Sequence, residues 1–132
     1  MLRKEYAGLY VLLIPFAIAL IAILAQVVHK PTTQPEAISG ADATQGIQAL
    51  EDYGCGACHV IAGVSGATGA VGPSLNDLAQ HAYIAGKLQN TPDNLVQWIR
   101  FPQEVDPGVD MPDLGVTEAA ARDMVAYLYT LK

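Results

Sequence analysis

The chain has 132 residues with a formal net charge of −6, and 52% of its residues are hydrophobic while 15% are charged. This length suits one small domain plus an additional segment. Residues 31–132 carry twelve acidic side chains against four basic ones, a net charge of −8. Such an acidic balance excludes nucleic acid as a partner and argues against docking on an anionic lipid surface.

The N-terminal part contains an uncharged apolar stretch of 22 residues, residues 7–28. As a helix it would be about 33 Å long, which is enough to cross the hydrocarbon core of a bilayer, and membrane helices tolerate Pro15. A cleaved secretory signal is the alternative, but "AQVVHKP" offers no clear cleavage site. The sequence therefore predicts a single transmembrane anchor over residues 1–29. Arg3 and Lys4 precede the span, which predicts a cytoplasmic N-terminus and an exported remainder.

After the apolar stretch the sequence changes in character. Residues 30–41 contain two prolines and several small polar residues, which predicts an extended linker. Residues 42–132 are expected to form one all-α domain. Its first predicted helix lies in "DATQGIQALEDYG", with Asp42 or Thr44 as the N-cap, and Gly54 ends it.

The two cysteines of the chain lie three positions apart, and a histidine follows the second: Cys55, Cys58 and His59. A redox disulfide with this spacing needs a βαβ context, which the flanking sequence lacks. A zinc site needs four ligands, and only the distant His29 and His81 remain as candidates. The third possibility is covalent haem, because thiols at i and i+3 lie on one face of a helical turn. The motif predicts one haem c, attached through Cys55 and Cys58, with His59 as an iron ligand.

The haem prediction has two consequences. Covalent haem attachment takes place outside the cytoplasm in bacteria, so the haem domain is expected on the extracytoplasmic (periplasmic) side of the cell membrane. This agrees with the orientation predicted for the anchor. A domain of about 91 residues also builds only a marginal core by itself, so we expect it to be largely unfolded without haem.

The remaining elements follow from local signals. Residues 60–74 are rich in glycine and predict a loop, and residues 75–86 contain one short helix. "TPDNLVQWIRF" predicts a helix, with Thr91 as its N-cap and Pro92 at its first position. "PQEVDPGVDMPDLG" contains three prolines and is expected to be irregular, and the last helix follows Thr117. No strand is expected.

The second axial ligand of the iron decides the function. An open position suits gas binding or peroxidase chemistry, whereas a thioether suits electron transfer. Of the three methionines, Met1 precedes the anchor and Met124 lies in the apolar stripe of the last helix. Met111 lies in the irregular "GVDMPDLG" segment, which can deliver a side chain to the far face of the haem. Met111 is the predicted ligand, and His81 is the alternative.

Together these features resemble a class I, mono-haem cytochrome c over residues 42–132. The segment Gly72-Pro73-x-Leu75 is similar to the family loop whose proline carbonyl accepts the N–H of the proximal imidazole. The resemblance implies that Pro73 orients His59 and that Leu75 packs on the haem face.

Other segments carry the same resemblance. Gly46 and Leu50 resemble the first helix of the family, and Tyr127 is placed by resemblance where this helix crosses the last one. "NLVQWIRFP" resembles the segment whose tryptophan lies near a haem propionate, which implies that role for Trp98, with plain core packing as the alternative. Arg100 is a candidate to neutralise a propionate.

Within the class, "GPSLNDLAQ" and the residues that follow are most similar to cytochrome c domains associated with bacterial haem–copper oxidases, which are fused to subunit II in caa-type enzymes. The resemblance implies an electron carrier without catalysis or a small-molecule substrate, in a respiratory or photosynthetic chain. The expected partners are the membrane, a quinol-oxidising complex and a haem–copper oxidase. The alternative is a fixed cytochrome subunit of an oxidase or nitric oxide reductase. A haem enzyme or gas sensor would require an open iron.

Overall fold

The structure is a computed structural model that describes residues 14–22 and 38–132. The chain divides into two units, Met1–Gln34 and Pro35–Lys132. In the first unit, residues 14–22 form a helical segment, α1, whose side chains are exposed.

The predicted transmembrane helix is not found, and this part of the predicted fold class is wrong. No helix among residues 14–22 and 38–132 is long and apolar enough to cross a membrane. Met1, Arg3, Lys4 and His29 lie outside the described residues. The predicted division into residues 1–29, 30–41 and 42–132 stays a prediction.

The second unit is mainly helical. Its α-helices are α2, α3, α4 and α5, which span Ala43–Asp52, Pro92–Arg100, Pro102–Val105 and Glu118–Leu128. Two short 3₁₀ helices lie at Cys55–Ala57 and Leu78–Gln80, and the strands β1 and β2 cover Tyr83–Ile84 and Leu88–Gln89.

The small hairpin of β1 and β2 corrects the prediction that the domain contains no strand. Ile84 pairs with Leu88 in antiparallel register. The chain reverses through Ala85 and Gly86, whose φ angles of 48° and 69° lie in the left-handed region. Each strand has only two residues, which is too short for an alternating apolar pattern to show in the sequence.

The segment predicted to be irregular also begins with a helical turn, α4. Proline at a first helical position lacks only an N–H that has no partner there, so Pro102 starts a turn as readily as it ends α3. Beyond Asp106 the segment is irregular as predicted.

Side-chain caps set the helix starts at the predicted positions. The Asp42 carboxylate accepts a hydrogen bond from Thr44 N at 2.7 Å and begins α2. Thr91 Oγ1 accepts from Asn94 N at 3.3 Å at the start of α3. Thr117 Oγ1 accepts from Ala120 N at 3.2 Å at the start of α5.

The core of the unit lies where α2 and α3 pack against α5. A Cβ atom at Gly46 would overlap the backbone carbonyl of Asp123, so the small residue lets α2 approach α5 closely. Asp42 N donates to Asp123 Oδ1 at 2.7 Å and ties the start of α2 to the same place. The largest buried apolar side chains come from all three helices and include Leu50, Leu95, Trp98, Met124, Val125 and Leu128.

Candidate haem site

The two cysteines lie on one tight turn directly after α2. Gly54 ends the helix with a φ of 72°, and the 3₁₀ turn Cys55–Ala57 follows. The backbone N–H groups of Cys58 and His59 both donate to the carbonyl of Cys55, at 3.2 and 3.1 Å. Both thiols are free and half-buried, so this turn presents them together.

The surroundings of Cys55 do not favour a redox disulfide. Burial raises the pKa of the Cys55 thiol, its hydrogen bonding to the backbone opposes that shift, and the neighbouring Cys58 adds to it. Redox-active thiols depend instead on a lowered pKa, which supplies the thiolate. Among the described residues, no group of three or more His, Cys, Asp or Glu side chains is placed to hold a metal ion.

The imidazole of His59 is oriented by a backbone carbonyl. His59 Nδ1 lies 2.7 Å from the carbonyl oxygen of Pro73. Because a carbonyl only accepts, the proton is on Nδ1, and Nε2 has its lone pair free for a metal. This is the contact that the resemblance implied for Pro73.

The backbone of Gly72 lies directly against the same ring. A Cβ atom there would overlap Cε1 and Nδ1 of His59. The sequence indicated Gly72 only as part of a motif, and this contact was not predicted. A glycine directly before the proline was the available signal.

The glycine-rich segment after the motif is a packed element that closes over the cysteine turn. Gly69 N donates to the carbonyl of Gly56 at 3.1 Å. A Cβ atom at Gly69 would overlap the carbonyl of Ala57, and one at Gly56 would overlap Ala67. The sequence interpretation treated these residues as a plain loop, although a density of small residues is also typical of close backbone contact.

Met111 lies in the irregular segment before α5, as predicted. Its side chain is half-buried and packs against the core, and so does that of Leu75. Met124, by contrast, is fully buried in α5, where it fills the core. The structure thus separates a half-buried methionine in an irregular segment from a fully buried one in a helix, and the assignment of Met111 as a ligand stays a prediction.

Trp98 and Arg100 lie on α3 with different surroundings. Trp98 is 8% exposed and belongs to the core. Arg100 Nε donates to the carbonyl of Val116 at 3.4 Å, and its Nη1 lies 3.5 Å from Glu118 Oε2. The guanidinium also lies 4.6 Å from the ring centroid of Phe101. Their roles beside a haem propionate stay predictions.

The alternative iron ligand, His81, lies at the exposed end of the second 3₁₀ helix. Its Nε2 is 3.4 Å from Asp77 Oδ2. His81 thus has an exposed acidic partner, and nothing in its surroundings favours it over Met111 as the second iron ligand.

The residues present fit a covalently attached haem. Two free thiols share one turn, and the neighbouring imidazole has one nitrogen bonded to a carbonyl and the other available. Val60 and Val71, adjacent to His59 and Gly72 in sequence, are 37% and 79% exposed. Exposed apolar side chains beside such a motif are the surface that a flat apolar cofactor would cover.

Comparison with known proteins agrees with this geometry. Residues 43–132 match the sequence profile of the family described as cytochrome c. The chain is also similar to cytochrome c oxidase subunit 2 of Alkalihalophilus pseudofirmus (strain ATCC BAA-2126 / JCM 17055 / OF4), with 36% identity over 91 residues. The matched region covers 68% of this chain but only 26% of that protein, so the chain spans about a quarter of its relative. A cytochrome c domain carries electrons on a covalently attached haem c, and Cys55, Cys58 and His59 stand at the positions of its attachment motif. The profile match and the geometry of the attachment turn together show that this chain belongs to the cytochrome c family.

Proposed function

We propose that this protein carries single electrons in a respiratory chain, from a quinol-oxidising complex to a haem–copper oxidase, and that it has no small-molecule substrate. The observation that carries the proposal is the 2.7 Å contact between His59 Nδ1 and the carbonyl of Pro73. It fixes the tautomer that an axial ligand requires, on a turn that also bears two free thiols.

Four residues would hold the haem, and each has a separate role. Haem c, when bound, supplies a one-electron iron couple. Cys55 and Cys58 would hold it through thioether bonds, and His59 and Met111 would be its axial ligands. If the protein filled both positions in this way, none would be left for a substrate, and a thioether ligand would raise the reduction potential.

The neighbouring residues keep this arrangement unchanged during electron transfer. The Pro73 carbonyl holds the proton of His59 on Nδ1 and increases the basicity of the ring, which favours the oxidised state. Gly72 lies directly against the ring. A ring held by a hydrogen bond and a backbone contact should change little between redox states, which favours fast electron transfer.

The similarity to an oxidase subunit supports the proposed acceptor. Covalent haem attachment in bacteria supports an extracytoplasmic location for the domain. The acidic surface supports partners with basic docking surfaces, since opposite charges steer short-lived encounters.

The direct test uses the purified haem-loaded chain in stopped-flow experiments. We expect a quinol-oxidising complex to reduce it and a haem–copper oxidase to reoxidise it, each within the turnover time of the complex. The reduced protein should not bind carbon monoxide, because Met111 would already be a ligand of the iron. Rapid carbon monoxide binding by the wild-type protein, or no exchange of electrons with either complex, would contradict the proposal.

A fixed subunit of an oxidase is the second candidate, and the similarity to subunit 2 of an oxidase favours it specifically. Purification of the tagged native protein after gentle solubilisation separates the two candidates. Stoichiometric oxidase subunits in the purified sample would show a fixed subunit. A cytochrome that emerges alone with one c-type haem would show a separate carrier.

A further inference from the structure

Two chain segments run side by side around the His59 imidazole and are joined by a ladder of four hydrogen bonds. Gly72 N donates to the carbonyl of Cys58 at 2.8 Å, and Leu75 N donates to the carbonyl of Val60 at 2.9 Å. The contact between His59 and Pro73 lies between these two bonds. The geometry of the imidazole contact therefore depends on how well the two segments are held together.

The fourth bond closes the ladder at Ala62, and both polar groups of this residue are bonded. Ala62 N donates to Asn76 Oδ1 at 2.6 Å. The carbonyl of Ala62 accepts from the hydroxyl of Tyr127 at 2.6 Å. Tyr127 belongs to α5, 65 residues further along the chain, so its hydroxyl fastens the end of the ladder to a rigid helix. A Cβ atom at Gly63 would overlap this hydroxyl, which shows how closely the tyrosine approaches the backbone.

We propose that Asn76 and Tyr127 are positioning residues for the His59 imidazole. By fixing the Ala62 peptide group from both sides, they hold the Pro73 carbonyl in place and thereby set the reduction potential. The inference rests on the proposed function, in which His59 is an axial ligand.

The direction of the effect follows from the chemistry of the imidazole. A carbonyl that accepts strongly from Nδ1 makes the ring a better donor to the metal and favours the oxidised state. If Ala62 loses one of its two partners, the ladder opens at that end and the Pro73 carbonyl is held less firmly. The contact with His59 then weakens, and the reduction potential rises.

Tyr127→Phe tests the inference in the haem-loaded protein, and Tyr129→Phe is its matched control. Both changes remove one hydroxyl near the end of α5, but the Tyr129 hydroxyl donates to Asn90 Oδ1, at 2.7 Å, instead of to the ladder. We measure the midpoint potential and, by NMR of the reduced protein, the exchange of the His59 Nδ1 proton with solvent. Tyr127→Phe should raise the potential and speed the exchange by about tenfold, in line with the loss of one hydrogen bond. Tyr129→Phe should change neither.

Variants of Asn76 provide a second, independent test that leaves the tyrosine ring unchanged. Asn76→Ala removes the acceptor of the Ala62 N–H and should speed the exchange as Tyr127→Phe does. Asn76→Asp keeps an oxygen at the same place and should restore the slow exchange. Wild-type exchange and potential in both Tyr127→Phe and Asn76→Ala would overturn the inference.

Failure of the proposed function would look different. If His59→Ala kept the ligand spectrum of the wild type, His59 would not be an axial ligand, and the proposed function would fail together with this inference. If His59→Ala lost that spectrum while Tyr127→Phe and Asn76→Ala behaved as wild type, only the positioning role would be lost.

Discussion

Gly46 and Gly108 differ in their surroundings, and only Gly46 has a neighbour that forbids a larger side chain. Gly46 lies against the backbone of α5, where a Cβ atom would overlap the carbonyl of Asp123. At Gly108 an added Cβ atom would meet only Asp106 Oδ1, at 3.9 Å, and φ is not in the left-handed region. The space available for one added Cβ atom therefore decides how much stability each glycine loses when it is replaced by alanine.

Gly46→Ala should lower the free energy of unfolding of the haem-loaded protein by about 1–3 kcal/mol, because two backbones would have to move apart. Gly108→Ala should leave it unchanged or raise it by up to about 1 kcal/mol, because it reduces the freedom of the unfolded chain. Denaturant titrations of the two variants check the prediction. Equal effects would show that α2 and α5 are not in tight contact.

The two methionines of the second unit should also respond differently. Met111→Ala should lower the reduction potential, change the ferric absorption spectrum and let the reduced protein bind carbon monoxide, because it removes the predicted thioether ligand. Met124→Leu should leave the spectrum and potential as in the wild type and cost less than about 1.5 kcal/mol, since it replaces a buried side chain by one of similar volume. Redox titration and spectroscopy check this. An unchanged spectrum in Met111→Ala would remove Met111 as a ligand.

The buried phenol of Tyr129 should make the free energy of unfolding depend on pH. Burial raises the pKa of its phenol from 10.0 to about 12. Between pH 10 and 12 the phenol keeps its proton in the folded state but loses it in the unfolded state. The stability that the neutral phenol contributes is therefore fully present below pH 10 and is lost as the pH rises toward 12. In denaturant titrations from pH 9 to 12, Tyr129→Phe should therefore lose less stability than the wild type. An identical pH dependence would contradict the prediction.

The residues of the site show what the sequence could and could not predict at this scale. Cys55, Cys58 and His59 are recognisable because attachment chemistry requires a fixed spacing. The contact of Pro73 with His59 followed from a family resemblance. The contact of Gly72 with the His59 ring was missed although a glycine before the proline was its signal. The bond from the Tyr127 hydroxyl to the Ala62 carbonyl could not be predicted, because a backbone acceptor 65 residues away leaves no pattern in the residue types.

Helix boundaries were predicted best among the elements, because caps are local. Asp42, Thr91 and Thr117 all accept the hydrogen bonds that their positions indicated. The hairpin of β1 and β2 and the turn of α4 were missed, since each is too short to show a period. The predicted spanning helix was wrong, since no helix within residues 14–22 and 38–132 is long and apolar enough to cross a membrane.

Thr91→Ala should lower the free energy of unfolding by about 1 kcal/mol, because the N–H of Asn94 loses its acceptor at the start of α3. Thr44→Ala is the control, since Thr44 is exposed inside α2 and alanine favours helix. It should cost nothing or stabilise slightly. Thermal unfolding of the two variants checks the difference, and similar losses would show that α3 does not depend on its cap.

Over the whole second unit, acidic side chains outnumber basic ones, and three of the basic ones are paired. Lys87, Arg100 and Arg122 each lie within 3.5 Å of an acidic side chain. Most of the basic charge is thus neutralised locally, and the surplus of acidic groups determines the field around the domain. Exposed ion pairs of this kind add little stability, so we assign the acidic field to encounters with partners.

Small redox reagents of opposite charge test this directly. The rate of reduction of the haem-loaded protein by a cationic complex such as hexaammineruthenium(II) should fall as salt is added, because screening removes the attraction. The rate with anionic ferrocyanide should rise or stay level. Stopped-flow measurements over a range of ionic strength check both. Two rates with the same salt dependence would show that the acidic surplus does not act at the site of electron entry.

The crossing of α2 and α5 joins the two ends of the domain, since Asp42 N bonds to a side chain 81 residues later. During synthesis the residues of α2 are therefore made long before the helix against which they pack. The contact between α2 and α5 needs both ends of the domain, so it is among the last contacts for which both partners are present.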